Sequence, residues 1–418
     1  MPFNRSLLFA AVLLLIQNVQ PAAGSDGDTS TGGTLVERGR YLALAGNCQS
    51  CHTREGGAPF AGGLAFATPF GTLYSTNITS DPEHGIGAWS EQQFAAAVRE
   101  GVRPSGEHLY PAFPYTAFTR LSDEDISALF AYMKTVQPSS DAARENELGF
   151  PYNMRWGIGL WKWLYFDEGR FQADASRPAD WNRGKYLVEG LGHCSACHSP
   201  RNFLGAERTD VALSGGTYKD KVDGRVLDWS ATNLTSADSG VGQWSDDEIV
   251  QYLKLGFSAR AGVFGPMNDV VVNSTRHLSD ADLRAIAKYL KSVPPTTQES
   301  GPASDESTMQ AGALQYDIHC GTCHLPTGLG SDTTGPPLVG SAVTLAADPA
   351  SLINVTLHGP HLPSTPPSEE WLHREWQPMG AFGEKLTDED AAALLSYIRG
   401  SWGNKAGGVT VEQVQKQR

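Results

Sequence analysis

Six cysteines occur in this 418-residue chain, and all of them belong to one repeated pattern. Each pair is separated by two residues and is followed at once by histidine, in Cys48-Gln-Ser-Cys51-His52, Cys194-Ser-Ala-Cys197-His198 and Cys320-Gly-Thr-Cys323-His324. C-x-x-C-H is the attachment pattern of c-type haem. Two thiols one helical turn apart can each add to a haem vinyl group, and the next residue can offer a neutral imidazole to the iron. The sequence therefore predicts three covalently attached haem c groups, with His52, His198 and His324 as proximal ligands.

Other uses of paired cysteines fit this pattern less well. In an exported protein, six cysteines could form three disulfides. A single C-x-x-C could also be a redox-active pair or half of a zinc site. Here each pair precedes a histidine directly and no cysteine is left over. The repetition favours haem attachment over these alternatives.

Two methionines stand where the second axial ligand of a haem iron would be expected. Met267 and Met379 each follow a proline and precede the last helix of a repeat. Methionine opposite histidine raises the potential of an electron-transfer haem, so both are predicted to be distal ligands. The matching loop of the first repeat, LYPAFPYTAF, has Phe113 at the place of the expected methionine. Phenylalanine cannot bind iron.

The first repeat has no obvious substitute for the ligand missing at Phe113. Met133 aligns with aliphatic residues of the other repeats, which indicates a core position, and Met154 lies between repeats. His108, His84 or a lysine could bind the iron, although each fits better as a surface residue. The first haem is therefore expected to be open on one face or to have a ligand that the sequence does not assign.

The elements around the three motifs repeat as well. Helical stretches precede them, as in ERGRYLALAGN, NRGKYLVEGLGH and, more loosely, QAGALQYDIH. Asn-x-Thr loops follow the first two motifs at Asn77 and Asn233; this is also a glycosylation pattern, but two copies at equivalent places favour a structural loop. Each repeat closes with a helix whose apolar residues recur at helical spacing. These helices and their predicted N-caps are 121–136 with Ser122, 278–293 with Ser279, and 386–401 with Thr387.

Together these elements resemble the small cytochrome c domain. The predicted fold is all-α, with three tandem class I cytochrome c domains at 33–140, 178–298 and 309–403. The other predicted segments are a signal peptide at 1–24, an aromatic-rich linker at 141–177 and a polar tail at 404–418.

The linker contains the stretch FPYNMRWGIGLWKWLYF, in which Trp156, Leu160 and Trp163 would share one helical face. It could be a helix packed between the first two domains. It could also present an interfacial surface to a membrane, a quinone or a partner protein, because Trp and Tyr favour such surfaces.

The N-terminus and the composition indicate an exported globular protein. Arg5, the apolar run LLFAAVLLLI and the small residues Ala22-Ala23-Gly24 have the pattern of a cleaved secretory signal. The apolar run is shorter than the roughly 20 residues that a membrane-spanning helix needs. A net charge of −14 argues against nucleic acid as a partner, because phosphate binding requires clustered Lys and Arg. We expect the mature protein in the periplasm, at the periplasmic face of the cell membrane.

On these motifs the chain resembles the three-haem cytochrome c subunits of membrane-bound periplasmic dehydrogenases that oxidise alcohols, gluconate, sorbitol or related polyols. The resemblance covers nearly all of the mature chain. Beyond the haem motifs it includes STNITSD, GIGAWSEQQFAAAVREGV, HLYPAFPYTAF, FPYNMRWGIGLWKWLYF and GNKAGGVTVEQV. In that family the loop usually reads Tyr-Pro-Ala-Met-Pro-Tyr, so Phe113 is a departure from it.

The resemblance implies an electron relay and no catalytic residues in this chain. A catalytic subunit that carries flavin, pyrroloquinoline quinone or molybdenum would oxidise the substrate. Electrons would then pass through three haems to membrane ubiquinone or to a downstream cytochrome or oxidase, with peripheral membrane association. Two alternatives stay open. One is a haem enzyme that binds peroxide, oxygen or a sulfur compound at an open first haem, and the other is a soluble periplasmic electron shuttle.

Overall fold

The computed structural model describes residues 34–418 except 223, 361–367, 373 and 375–378, so the predicted signal peptide lies outside the described residues. Leu35–Arg418 form one compact unit. Its helices are α1 (Leu35–Ala45), α2 (Cys48–Cys51), α3 (Glu91–Ala95), α4 (Tyr115–Phe118), α5 (Asp123–Met133), α6 (Trp156–Tyr165), α7 (Ala179–Tyr186), α8 (Ser195–His198), α9 (Asp246–Leu255), α10 (Met267–Asn273), α11 (Asp280–Ser292), α12 (Glu306–His319), α13 (Gly321–His324), α14 (Ala350–His358), α15 (Glu369–Leu372), α16 (Asp388–Gly400) and α17 (Val411–Gln417). Its strands are β1 (Ala65–Thr68), β2 (Gly71–Tyr74), β3 (Glu147–Leu148), β4 (Gly216–Val222), β5 (Arg225–Ala231), β6 (Phe257–Ser258) and β7 (Ala261–Gly262).

Three pairs of helices share one packing arrangement: α1 with α5, α7 with α11, and α12 with α16. At each crossing a glycine of the first helix faces an alanine carbonyl oxygen of the second. A Cβ atom on that glycine would lie only 1.9–2.1 Å from the oxygen, at Gly39 against Ala128, Gly184 against Ala285 and Gly312 against Ala393. The glycines therefore allow the two backbones to approach more closely than any side chain would permit.

The three closing helices begin as the sequence predicts. The side chains of Ser122, Ser279 and Thr387 accept hydrogen bonds from the backbone N–H groups three residues later. Each cap satisfies one of the N–H groups that the first turn of a helix leaves without a partner.

Short antiparallel strands accompany the helices, so the all-α prediction is too narrow. One sheet has the order β1-β2-β3, while β4 pairs with β5 and β6 with β7. The hairpins β1–β2 and β4–β5 each follow a C-x-x-C-H motif and lead into the Asn-x-Thr loop. In β5 four consecutive residues, 227–230, are buried. Its sequence therefore lacks the alternation that marks a strand with one exposed face.

Two hydrophobic cores support the three helix pairs. The first is shared by α1, α5, α7 and α11, and its buried members include Leu42, Ile126, Tyr186 and Leu283. The second is built from α12, α14, α16 and α17, and includes Tyr316, Ile353, Leu394 and Val414. The first two helix pairs thus form one apolar body, and the third has a core of its own. A division into three domains stays a prediction.

A polar cluster joins the first two helix pairs at the start of α11. The Asp282 carboxylate accepts two hydrogen bonds of 2.8 Å from Arg183 of α7. It also accepts a 2.6 Å hydrogen bond from the Tyr41 hydroxyl of α1. The Tyr41 oxygen accepts in turn from the backbone N–H of Ser279. Each helix pair therefore contributes to the other's cap.

An equivalent polar cluster lies at the start of α5, with the roles of the first and second helix pairs reversed. Asp125 of α5 accepts from Arg38 of α1 at 2.6 Å, and from the Tyr186 hydroxyl of α7 at 2.5 Å. The Tyr186 oxygen accepts from the backbone N–H of Ser122. The two clusters are reciprocal, which fixes the first and second helix pairs against each other from both sides.

Replacing Asp282 by asparagine should lower the free energy of unfolding by about 2 kcal/mol at neutral pH, because charged hydrogen bonds are lost. Burial raises the pKa of Asp282, but the hydrogen bonds from Arg183 and Tyr41 outweigh it and the net pKa is lowered. A carboxyl of lowered pKa stabilises the fold above its unfolded value of about 3.9, and that stability disappears as the pH falls through the folded value.

Urea unfolding at neutral pH and below about pH 4 would measure this effect. The variant and the parent protein should differ at neutral pH and converge in acid. Asp332→Asn at an exposed loop position is the control and should leave stability unchanged. An equal loss at both pH values would show that the charge of Asp282 is not responsible.

The segment predicted as a polar tail ends in a packed helix. Thr410 caps α17, Val414 is fully buried, and the Gln417 side chain accepts a 3.2 Å hydrogen bond from the backbone N–H of Asp228 in β5. Seven residues with only two apolar members gave little sign of this packing. Among the described residues, none of the helices combines the length and hydrophobicity that crossing a membrane requires.

Candidate haem-attachment sites

The three histidines of the C-x-x-C-H motifs are held in the same way. Nδ1 of His52 lies 2.7 Å from the Thr76 carbonyl oxygen. The corresponding distances are 2.6 Å from His198 to Thr232 and 2.8 Å from His324 to Pro336. A carbonyl oxygen only accepts, so Nδ1 donates and carries the proton. This tautomer leaves the Nε2 lone pair free to bind a metal.

The same histidines are kept neutral by their surroundings. Burial lowers the pKa of His52, His198 and His324, and in each the hydrogen bond to the carbonyl opposes that effect without reversing it. Neutral imidazole is the form that binds iron.

The cysteine thiols do not resemble a reactive redox pair. Burial, first of all, raises the pKa of Cys48, Cys51, Cys194 and Cys320 to about 12. Redox-active C-x-x-C cysteines have lowered values, because the thiolate is the reactive form. Among the described residues, none of the six cysteines is in a disulfide. Their environment fits attachment to an apolar macrocycle better than thiol exchange.

The Asn-x-Thr loops supply the carbonyls that orient the first two histidines. Thr76 and Thr232 directly precede Asn77 and Asn233, whose side chains are 3% and 5% exposed. The Asn77 amide donates to the Ser139 carbonyl oxygen, and Asn233 makes the matching bond to a carbonyl 63 residues later. The structural interpretation of these loops is confirmed, because a glycosylated asparagine would have to be accessible.

Phe113 lies opposite the first of these histidines. Its ring centroid is 6.5 Å from that of His52, with the rings nearly perpendicular. Backbone hydrogen bonds from Phe113 to the Tyr110 carbonyl and from Tyr115 to the Phe113 carbonyl form the turn that presents it. The place predicted for the missing methionine is therefore occupied by an aromatic side chain.

Neighbours of the two predicted methionine ligands contact segments that belong to the second and third sites. Met267 begins α10, directly after a turn in which Gly265 packs on the Trp229 ring of β5. That strand leads to Thr232, the acceptor for His198. Met379 precedes Phe382, whose ring lies 5.8 Å from His319, the residue before Cys320. Iron binding by both methionines stays a prediction.

The attachment sites of the first two motifs lie close together, which the sequence does not reveal. After burial, the nearby Cys197 is the next cause of the raised pKa of Cys51, and Asn273 of α10 donates a 2.9 Å hydrogen bond to Ser50 of α2. Aromatic rings also connect them. Phe113 is 5.5 Å from Phe118, and Phe118 is 5.3 Å from His193, directly before Cys194.

Tyr115, two residues after Phe113, has a buried hydroxyl that fits a bound group carrying an acceptor. Tyr115 is fully buried, and its hydroxyl has no hydrogen-bond partner among the described residues. Such a donor costs about 1–3 kcal/mol when it is left without an acceptor. A haem carboxylate would supply one. Together with the thiols and the free Nε2 atoms, this donor makes the residues suitable for haem.

The linker contributes a helix with two different faces. On one face, Lys162 Nζ contacts His108 Nδ1 at 3.0 Å, and the Trp161 indole donates to the Leu204 carbonyl at 3.0 Å. On the other, Trp156 and Trp163 are 71% and 80% exposed. The helix is packed against the body, as one interpretation holds, and it also presents an aromatic surface.

Family models place cytochrome sequences at both ends of the chain. The model described as "Cytochrome c" matches residues 36–137, and the one described as "Cytochrome C oxidase, cbb3-type, subunit III" matches residues 307–398. These matches contain the first and third C-x-x-C-H motifs.

Relatives align over almost the whole chain. The cytochrome c subunit of an alcohol dehydrogenase (quinone) from Gluconobacter oxydans is 39% identical over 98% of this chain and 87% of its own. The gluconate 2-dehydrogenase cytochrome c subunit of Pantoea cypripedii is 41% identical over 91% of this chain and 88% of its own. The fructose dehydrogenase cytochrome subunit of Gluconobacter japonicus is 36% identical over 100% of this chain and 89% of its own.

Proposed function

This chain belongs to the family of dehydrogenase cytochrome c subunits, and we propose that it relays electrons from a catalytic subunit through three covalently bound haem c groups. The observation that carries the proposal is the threefold arrangement of paired thiols and a buried histidine whose Nδ1 is fixed by a carbonyl. Bound haem supplies one-electron redox chemistry.

The residues of the chain have distinct roles in this proposal. Each cysteine pair attaches the macrocycle, and each histidine offers Nε2 to the iron while its carbonyl partner fixes the ring orientation. Met267 and Met379 would close the distal faces of the second and third sites. Burial would exclude water and so limit the reorganisation that accompanies a change of charge. The proposed domains are 33–140, 178–298 and 309–403.

The relatives, which are named as subunits of dehydrogenases, support a catalytic dehydrogenase subunit as the partner. The catalytic subunit would carry flavin, pyrroloquinoline quinone or molybdenum, and the acceptor would be membrane ubiquinone or a downstream cytochrome or oxidase. We place the protein at the periplasmic face of the cell membrane after removal of residues 1–24. The exposed tryptophans of α6 support peripheral association there, because tryptophan favours the membrane interface.

Purification from its host with a tag on this chain tests the proposal. A large dehydrogenase subunit should co-purify, and its substrate should reduce the haems of the complex but not those of the isolated chain. The absence of any such partner would favour the soluble shuttle. Rapid peroxide turnover by the isolated chain would favour a haem enzyme and contradict the relay as its main role.

A further inference from the structure

The first site differs from the other two at the distal position. A methionine follows a proline in the second and third loops, whereas the first has Phe113. The Phe113 ring faces His52 across 6.5 Å and packs on Phe118 at 5.5 Å. Nothing in these aromatic rings can bind iron. The first site therefore needs either another protein ligand or none.

Hydrogen bonds with the linker hold the loop that carries Phe113. The loop therefore cannot easily move to bring another side chain to the place of the Phe113 ring. Arg155 donates a 3.0 Å hydrogen bond to the His108 carbonyl oxygen. The Tyr110 hydroxyl donates to the Tyr152 carbonyl at 3.0 Å. A third contact, from Lys162 to the Gly101 carbonyl, also measures 3.0 Å. These contacts tie the N-terminal side of the loop to the segment around α6.

Two side chains that the sequence raises as possible substitutes, His108 and Met133, are engaged elsewhere. The His108 ring faces the linker, where its Nδ1 contacts Lys162 and its Nε2 would lie 3.5 Å from a Cβ atom placed on Gly159 of α6. Met133 is 2% exposed within the first hydrophobic core. It has the same place on α5 as Leu290 and Ile398 have on α11 and α16, and both of those are buried core residues. His108 and Met133 therefore have structural roles.

We propose that Phe113 covers the distal face of the first site without supplying a ligand, and that small π-acceptor molecules such as carbon monoxide or nitric oxide bind there. The inference rests on the proposed attachment of haem at this site. Phe113 and Phe118 offer an apolar setting. Carbon monoxide and nitric oxide are held by back-donation of iron electrons into their π* orbitals, so they need no hydrogen bond from surrounding side chains. Activation of oxygen or peroxide, in contrast, depends on polar groups on the distal side. The site is thus a gas-binding position within a relay.

Carbon monoxide titration of the reduced full-length protein tests this directly. Haem content is measured first, and the optical difference spectrum then gives the amount of gas bound. We expect about one carbon monoxide per chain, because methionine closes the other two sites. In the oxidised protein, the methionine–iron charge-transfer band should have about two thirds of the intensity expected for three such haems.

Phe113→Met provides the matched variant. It should abolish carbon monoxide binding and raise the charge-transfer band to its full three-haem intensity. Phe203→Met is the control, because Phe203 is 84% exposed and a methionine there should change neither signal.

Three results would overturn the inference. Three haems with no carbon monoxide binding would mean that another side chain fills the first site, and a full charge-transfer band in the parent protein would identify that side chain as methionine. Both would leave the proposed relay intact. A content of two haems, with none on the peptides that contain Cys48 and Cys51, would overturn the inference and the three-haem relay together.

Discussion

Gly184→Ala is expected to destabilise the protein by about 3 kcal/mol, near the upper end for overpacked cores. A Cβ atom at Gly184 would lie 2.0 Å from the Ala285 carbonyl oxygen and 2.9 Å from Cβ of Tyr289. Both neighbours belong to the backbone or sit directly on it, so no rotamer change can relieve the clash. Helices α7 and α11 would have to separate, and the first hydrophobic core would lose contacts on both sides.

Gly157→Ala is the matched control for Gly184→Ala. Gly157 also lies in a helix, α6, but a Cβ atom there would meet nothing within 4 Å. Alanine should stabilise that helix by up to about 1 kcal/mol. Urea unfolding followed by far-ultraviolet circular dichroism would measure both variants. Equal changes in the two would show that intrinsic propensity, and not the helix crossing, governs the response at Gly184.

The repeated helices and their caps can be predicted from the sequence, whereas the contacts between repeats cannot. The stretches RGRYL and RGKYL are recognisable as repeats, and the caps at Ser122 and Ser279 follow from local chemistry. The role of Tyr41 does not follow in this way, because its partner Asp282 is 241 residues away. A contact of that kind depends on how two repeats pack, and neither repeat specifies it alone.

The hydrophobic pattern of a segment also fails to predict its burial when neighbouring elements cover the segment on both faces. The end of β5 is buried because Ser351 of α14 exchanges hydrogen bonds of 2.9 and 3.1 Å with Ser230. A strand covered on both faces has no alternation to detect. The helix α17 is similar, since its burial depends on neighbours in α16, α14 and β5 and not on its own composition.

The candidate sites are more predictable than the fold that surrounds them. Attachment and proximal ligation need residues within five positions of one another, so Cys48 and His52 are evident from spacing alone. The partner of the histidine is not evident, since Thr76 lies 24 residues later in a loop placed by the β1–β2 hairpin. The proximity of Cys51 and Cys197 is a consequence of packing and has no sequence signal.

Removing the second and the third cysteine pair should have unequal consequences for the first site. Cys194 packs against the core shared by the first two helix pairs, and Cys320 packs against the separate second core. The double variants Cys194→Ala/Cys197→Ala and Cys320→Ala/Cys323→Ala should each lower haem content by about a third. Only the former should also destabilise the first core, because a bound group stabilises the fold that holds it.

Carbon monoxide difference spectra and thermal unfolding of both variants would separate the two effects. With the third pair removed, the carbon monoxide difference spectrum of the first site should match that of the parent protein. With the second pair removed, that spectrum should shift, because Phe118 links Phe113 to His193 directly before the missing attachment. An unchanged first site in both variants would mean that the shared core does not couple the two sites. The two reciprocal polar clusters at Asp125 and Asp282, which join the first and second helix pairs, support coupling between the two sites.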